Sequence, residues 1–370
     1  MNVVLSAGGT GGHLFPAEAL AAVLHARRYK VHLITDGRAK PFLDTFPADS
    51  VHLVGAATLA GRNALAAAKM AATNGVGLVR ALAILKRKKA DVAVGFGGYP
   101  TLAPLTAARL LGVPSIVHEA NAVMGRANHF LAGHAHVATS FPDVRGIPEK
   151  ALTVTRVGMP VREAVMAAAK PFVGPADGPF RILVFGGSQG ARAFADMVPP
   201  ALKLLPEELQ RRLAVTQQVR PEDMDRVRGA YEETPIDATL APFFRDLPMH
   251  MADAHLVIAR SGASTVMELA VMGRPSLLVP LPGAIDQDQA FNASALEAIG
   301  GAKRLDQAEL TPQVLADEIA SLMGAPDELT AMADAAKGLG RPRAAEELAD
   351  FAERVGGAIA ITDISAEERP

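Results

Sequence analysis

The chain has 370 residues, 49% of them apolar, and 37 Lys and Arg against 39 Asp and Glu give a net charge of −2. This balance argues against a dedicated nucleic-acid binder, and an aromatic content of 5% without tryptophan leaves no platform for stacked bases. The absence of cysteine excludes disulfides, thiolate metal sites, iron–sulfur clusters and a cysteine nucleophile.

At roughly 100–200 residues per domain, the length predicts two domains, each with its own core. The opening stretch, MNVVLSAGGTGGH, lacks a basic leader and runs straight into glycines, so it predicts a first β-strand rather than a signal peptide. Apolar runs at 3–6, 31–35, 51–54, 92–95, 115–118 and 136–138 predict buried strands. Stretches 16–27, 64–85 and 102–111 predict the helices between them, and strands alternating with helices imply a parallel sheet covered on both faces. The apolar stretches near 64–85 and 101–117 are interrupted by Lys69, Asn74, Arg80, Pro104, Arg109 and Pro114. Neither reaches the roughly 20 uninterrupted apolar residues of a membrane span.

The pattern then restarts. Strands are predicted at 181–185, 213–217, 255–258 and 276–279, and helices at 197–205, 263–272 and 288–298. Residues 3–12 (VVLSAGGTGG) and 182–191 (ILVFGGSQGA) share one plan: an apolar strand, Gly-Gly, a hydroxyl residue, more glycine, then a helix. Two such units predict an α/β chain of twin Rossmann-like domains, 1–160 and 161–341, divided where Pro160, Pro171, Gly174, Pro175, Gly178 and Pro179 cluster. A final amphipathic helix is expected over about 342–356, followed by a flexible tail at 357–370. Ligands of such sheets bind beyond the carboxyl ends of the strands, so a site is expected in a cleft between the domains.

Each candidate motif follows a strand. Gly8-Gly9-Thr10-Gly11-Gly12 would let backbone amides approach an anion, and His13 directly after it is a candidate general base. Gly186-Gly187-Ser188-Gln189-Gly190 is a second such loop. In Arg260–Glu268, Ser261 is expected to cap a helix whose first amides face a diphosphate, and Glu268, a turn further on, to accept from a ribose diol. Asp286–Asn292 clusters carboxylates and amides suited to sugar hydroxyls. Asp-x-Asp pairs at 223–225 and 286–288 form only partial oxygen sites, so no metal is expected. His118-Glu119-Ala120-Asn121 and Gly95–Thr101 reach the same functional edge. The first glycine loop lacks dinucleotide spacing, which disfavours NAD.

Together GGTGGH, GFGGYPT, HEAN, GMPVR, FGGSQGA, RSGASTVMELA and DQDQAFNA, running in order from residue 8 to residue 293, resemble the MurG family. These are peripheral glycosyltransferases of peptidoglycan synthesis. The resemblance implies a GT-B fold, UDP-GlcNAc as donor and lipid I as acceptor, with inversion at the anomeric carbon giving lipid II and UDP, and no cofactor. It implies that Thr10, Gly11 and Gly12 contact the donor across the cleft and that Asn121 contacts the donor sugar. Arg162, Ser188 and the run Ala263, Ser264, Thr265, Val266, Met267 and Glu268 would surround the nucleotide. Glu268 would hold the ribose, Gln289 the sugar hydroxyls, and the Phe244 backbone the uracil. Gly98, Tyr99 and Thr101 are assigned to the acceptor. The chain departs from the family pattern at Met159, Asp288 and Phe244, where Asn, Gln and Ile are usual.

A sugar hydroxyl is a poor nucleophile at neutral pH, so a base must take its proton: His13 first, Glu119 second. The apolar stretch 64–85 beside Lys86-Arg87-Lys88-Lys89 suits an anionic membrane, placing the protein peripherally on the cytoplasmic face of the bacterial inner membrane, with cell-wall and division enzymes as possible partners. Two other readings remain: an enzyme like UDP-GlcNAc 2-epimerase, or a sugar-nucleotide-binding scaffold without turnover.

Overall fold

The computed structural model describes residues 1–55, 64–176, 178–187, 191–284 and 286–357, and for 64–71 the helical backbone alone. The tail expected at 357–370 lies, apart from Gly357, outside the described residues.

In chain order the elements are β1 (Asn2–Ser6), α1 (Gly11–Ala26), β2 (Lys30–Thr35), β3 (Ser50–Leu53), α2 (Ala64–Lys88), β4 (Val92–Gly95), α3 (Leu102–Leu111), β5 (Ser115–Glu119), α4 (Arg126–Ala132), β6 (His136–Thr139) and β7 (Val154–Arg156). There follow α5 (Glu163–Ala168), β8 (Phe180–Phe185), α6 (Arg192–Lys203), α7 (Glu207–Gln210), β9 (Leu213–Gln218), α8 (Met224–Glu232) and β10 (Asp237–Ala241). The chain continues through α9 (Leu247–Asp253), β11 (Leu256–Ala259), α10 (Ala263–Met272), β12 (Ser276–Leu278), α11 (Asp288–Ala298) and β13 (Ala302–Arg304). The last elements of the described residues are α12 (Pro312–Met323), α13 (Pro326–Leu339) and α14 (Ala344–Val355).

The chain divides into two compact units. The first runs from Met1 to Arg162 and takes in the segment from Pro342; the second spans Glu163–Arg341. Each holds one sheet. The first has the strand order β3-β2-β1-β4-β5-β6-β7 and the second β10-β9-β8-β11-β12-β13. Every pairing is parallel, with Val3 opposite both Val31 and Val92, and Ile182 opposite both Val215 and Leu256.

Both faces of each sheet are buried, which is why the strands read as continuous apolar runs. Along β1, Val3 and Leu5 pack with Leu14, Leu20 and Leu24 of α1, while Val4 packs with Ile84 and Leu85 of α2 on the opposite face. In the second unit Phe180, Ile182 and Val184 pack with Phe194 and Val198 of α6. The last helix, α14, contributes Leu348, Ala349 and Ala352 to the core beside α1, and Arg27 of α1 donates to Asp350 at 2.6 Å and Glu353 at 2.8 Å.

In both sheets strand order reverses beside the first strand, between β1 and β4 and between β8 and β11. There the connections depart to opposite faces and leave a crevice at the carboxyl ends of the strands. The loops after β1, β4, β8 and β11 carry the glycine and polar motifs of the sequence.

Candidate active site

In the first unit the loop after β1 leads into α1 with Thr10 as the residue before the helix. Thr10 Oγ1 lies 3.0 Å from Nδ1 of the half-buried His13. Asp36, at the end of β2, accepts from the Gly9 amide at 3.3 Å and holds Arg38 through Nε at 3.0 Å and Nη2 at 2.7 Å. A Cβ at Gly9 would stand 2.5 Å from the Ala39 nitrogen, so only glycine fits against this turn. Burial first, and then the Arg38 charge, push the His13 pKa below its ordinary value of 6.5 against an opposing pull from Asp36. The imidazole is therefore neutral near pH 7 and has a lone pair to use.

Gly97, after β4, adopts φ +89°, and a Cβ on it would meet His13 Cδ2 at 3.3 Å and Asn128 Nδ2 at 3.4 Å. The turn therefore forms one wall of the histidine's surroundings. Tyr99 is half exposed on it. Thr101 is fully buried, and its hydroxyl donates to the Gly98 carbonyl at 2.7 Å. Thr101 therefore holds the turn that carries Gly98 and Tyr99.

Glu119, expected as a second base, is buried at the end of β5. It accepts from the Asn121 amide at 2.9 Å, the Gly125 amide at 3.0 Å, Asn128 Nδ2 at 2.7 Å and Asn121 Nδ2 at 3.4 Å. Burial raises its pKa, and these hydrogen bonds pull the other way. A carboxylate that accepts from four donors organises the 121–128 loop, so its hydrogen bonds give Glu119 a positioning role beside the expected catalytic one. His118 beside it is fully buried, donates through Nε2 to the Gly158 carbonyl at 3.0 Å, and has its pKa lowered to about 4 by burial. Arg162 at the end of this unit lies over the Phe15 ring, 5.2 Å from its centroid.

In the second unit a cavity of about 700 Å³ opens at the carboxyl ends of β8, β11 and β12. Gly186, Gly187, Arg192, Arg260, Thr265 and Gln289 are among its lining residues. Ser188 lies outside the described residues. Gly262, not Ser261, is the residue before α10, and no side chain caps the helix. The Ser261 hydroxyl instead donates to the Gln289 carbonyl at 2.8 Å, and its own carbonyl accepts from Asn292 at 3.2 Å. The expected side-chain cap is thus replaced by a tie between two motifs, and the first-turn amides of Ala263, Ser264 and Thr265 have no partner within the helix. Val266 and Met267 are buried, so only their backbones can face a ligand; Glu268 is also buried.

Gln289 Oε1 accepts from the Leu281 amide at 3.0 Å, and Asp288 accepts from the Gln289 amide at 2.8 Å. Asp288 is the first residue of α11, after Gln287 in the left-handed conformation, and no side chain caps the helix. The Phe244 ring meets His250 edge-on, centroids 5.1 Å apart. Asp223 is held by Arg220 at 2.7 Å and Arg226 at 2.9 Å. No group of three or more metal-ligating side chains is gathered among the described residues.

Sequence reasoning passed over Arg260, Gln307 and Asn128 as site-forming side chains. Arg260 is buried, donates to the Val279 and Pro280 carbonyls at 3.0 Å each and to Gln307 Oε1 at 2.6 Å, and lies over the Phe194 ring at 5.1 Å. Burial lowers its pKa, yet a guanidinium remains charged and gives the cavity a fixed positive wall. An arginine directly after a buried strand was the available signal; Gln307, outside every motif, had none.

The glycosyltransferase family 28 N-terminal domain matches residues 3–139 and the family 28 C-terminal domain residues 181–354. Over 359 residues the chain is 53% identical to the UDP-N-acetylglucosamine--N-acetylmuramyl-(pentapeptide) pyrophosphoryl-undecaprenol N-acetylglucosamine transferase of Bradyrhizobium diazoefficiens, covering 96% of this chain and 98% of that one. The chain belongs to the MurG family of glycosyltransferases. The Brucella abortus enzyme of the same name is 50% identical over 372 residues, covering 100% of this chain and 98% of that one. The crystal structure of Acinetobacter baumannii MurG superposes with a TM-score of 0.77 at 32% identity, covering 95% of this chain and 99% of that chain. Two Rossmann-like units with these parallel sheets are the GT-B fold of MurG proteins. A Listeria monocytogenes protein described as a putative UDP-N-acetylglucosamine 2-epimerase, at 13% identity and a TM-score of 0.69 over 97% of each chain, shares that fold alone.

Proposed function

We propose that this chain transfers N-acetylglucosamine from UDP-GlcNAc to the muramyl 4-hydroxyl of lipid I, releasing UDP and lipid II, as an inverting transferase of peptidoglycan synthesis. The observation that carries the reading is the α10 start, where Gly262 and Thr265 line the 700 Å³ cavity beside Arg260. A helix beginning and a buried guanidinium suit a diphosphate that gains negative charge as it leaves.

In this reading Ala263, Ser264 and Thr265 hold the diphosphate through their backbones and Glu268 the ribose. Gln289, Asn121 and Arg162 serve the donor, with the Phe244 backbone on the base. The glycine loop at Thr10, Gly11 and Gly12 and the turn at Gly98 and Tyr99 form the surroundings of the reacting hydroxyl. His13 Nε2 takes the proton of the muramyl hydroxyl as its oxygen attacks the anomeric carbon. The bond from that carbon to the diphosphate breaks on the opposite side, and its electron pair leaves with UDP. For Nε2 to act as base, Nδ1 must carry the proton and donate it to Thr10 Oγ1.

The protein docks peripherally on the cytoplasmic face of the inner membrane. The support is the basic end of α2, Lys86–Lys88 with Lys89, and the exposed Val76 and Val79 on the same helix. Among the described residues no helix is long and apolar enough to cross a membrane.

The test is transfer of labelled N-acetylglucosamine from UDP-GlcNAc to a short-chain lipid I analogue, with and without chelator. Acceptor-dependent product is expected under both conditions. Donor consumption that does not depend on the acceptor would overturn the reading.

A further inference from the structure

An apolar groove of about 440 Å³ opens in the first unit between α2, α3 and α4. Each helix contributes positions i, i+1 and i+4, which lie on one face, so the walls are three converging helical faces. Leu78, Leu102, Ala103 and Phe130 make them apolar, and Tyr99 and the exposed Arg126 also line it. Phe130 is 69% exposed and Tyr99 48%, a large apolar patch to leave in water.

The groove's position decides what it could take. It involves the first two turns of α3 and α4, both of which start at the carboxyl ends of their strands. Tyr99 follows directly on Gly98, where a Cβ would stand 3.7 Å from His13 Cε1. An apolar groove thus begins one residue from the histidine's surroundings, with an exposed guanidinium among its lining residues. A ligand that fits has an anionic group near the reacting centre and a hydrocarbon chain leading away from it.

We infer that this groove binds the first isoprene units of a prenyl diphosphate-linked acceptor, with Arg126 beside the diphosphate. The inference rests on the proposed function, because it takes the acceptor to be a pyrophosphoryl polyprenol. It assigns to the enzyme itself a hydrocarbon subsite separate from docking on a bilayer.

The test uses muramyl-pentapeptide diphosphate acceptors that differ only in isoprenoid length, kept below their micelle concentrations without vesicles, so that no membrane contributes. For the unaltered protein, acceptor KM falls at least about tenfold as the first units are added, as expected for burying a few methylene-sized groups, and then levels off. Ala103→Phe and Thr106→Phe, which fill the groove, remove this dependence on length while donor KM and turnover of the shortest acceptor stay unchanged. A length dependence in these variants equal to that of the unaltered protein would overturn the groove assignment. Failure of every acceptor with the unaltered protein would instead sink the proposed function. Should both variants unfold, photolabelling of the unaltered protein with a diazirine-bearing farnesyl diphosphate decides: label on the peptides holding Leu78 or Phe130 supports the site, and label elsewhere refutes it.

Discussion

Thr10 Oγ1 and His13 Nδ1 are 3.0 Å apart, so the hydroxyl can accept the Nδ1 proton and leave the lone pair on Nε2. The contact closes within one helical turn, because Thr10 precedes α1 and His13 is its third residue. His13→Ala is expected to lower kcat by about 10²–10⁴-fold, the usual contribution of a general base, with donor affinity retained. Thr10→Val keeps the shape and removes the acceptor for the Nδ1 proton; its kcat should fall by a smaller factor, about tenfold, the worth of one hydrogen bond. Donor binding measured by calorimetry alongside turnover separates these effects. Normal turnover in His13→Ala would remove it from catalysis.

The pH profile follows from the same histidine. Its pKa is below 6.5, and the reacting form is neutral, so kcat/KM should hold down to mildly acidic pH and fall as pH drops through the lowered pKa. Arg38 contributes to that lowering, while Asp36 opposes it. Arg38→Met removes a cation and leaves the anion, so the acid limb should move to higher pH, toward 6.5. A limb that stays put or moves down would show that a different group sets it.

Glu119→Gln provides a test of positioning against catalysis. The carboxylate accepts four hydrogen bonds, and the amide presents its own N–H groups to two or more of those donors. A loss of about 1–3 kcal/mol of stability is expected from mismatched buried groups. Turnover should fall through disorder of the 121–128 loop, yet the acid limb set by His13 should remain where it was. Loss of that limb in Glu119→Gln would make Glu119 the base.

Acid stability has its own reporter. His118 is fully buried, with its folded pKa near 4 against 6.5 when free. Between these values the unfolded chain binds more protons than the folded one, so stability rises with pH across the window. The contribution is fully present above pH 6.5, is lost as pH falls toward 4, and amounts to about 3 kcal/mol at most. His255 in the second unit, also near 4, acts in the same direction. His118→Gln retains a donor for the Gly158 carbonyl and cannot titrate. Its melting temperature should be less sensitive to pH than that of the unaltered protein between pH 4 and 6.5, and equal sensitivity would exclude His118 as a source.

The contrast between what was legible in the sequence and what was not has physical causes. The two strand–glycine–helix restarts were readable because β1 and β8 are buried on both faces and so carry unbroken apolar runs. β7, β10 and β13 are outermost strands, half wetted, and their sequences VTR, DATLA and AKR hold no such run, so they passed unseen. The glycine loops could be placed because their positions follow strand ends directly. The commitments of Glu119, Thr101 and Ser261 could not, because each depends on a partner supplied by a turn or by a residue as distant as Gln289. Residue type announces polar chemistry; only the fold shows whether a polar atom is already spent.

Arg260 gives the sharpest test of the donor cavity. Its guanidinium uses Nη1 on the Val279 and Pro280 carbonyls and Nη2 on Gln307, an arrangement a lysine ammonium cannot reproduce from one point. Arg260→Lys therefore keeps the charge and loses the fork. If the guanidinium only braced the β12 loop, the lysine variant would melt at lower temperature while binding UDP with unchanged affinity. If it also forms the positive wall facing the diphosphate, UDP affinity and kcat/KM should fall together by about 10–100-fold, the range for losing a hydrogen bond to a charged group. Uridine, which lacks phosphate, should bind both proteins alike. A loss of uridine affinity equal to that for UDP would show that the cavity had collapsed rather than lost its charge.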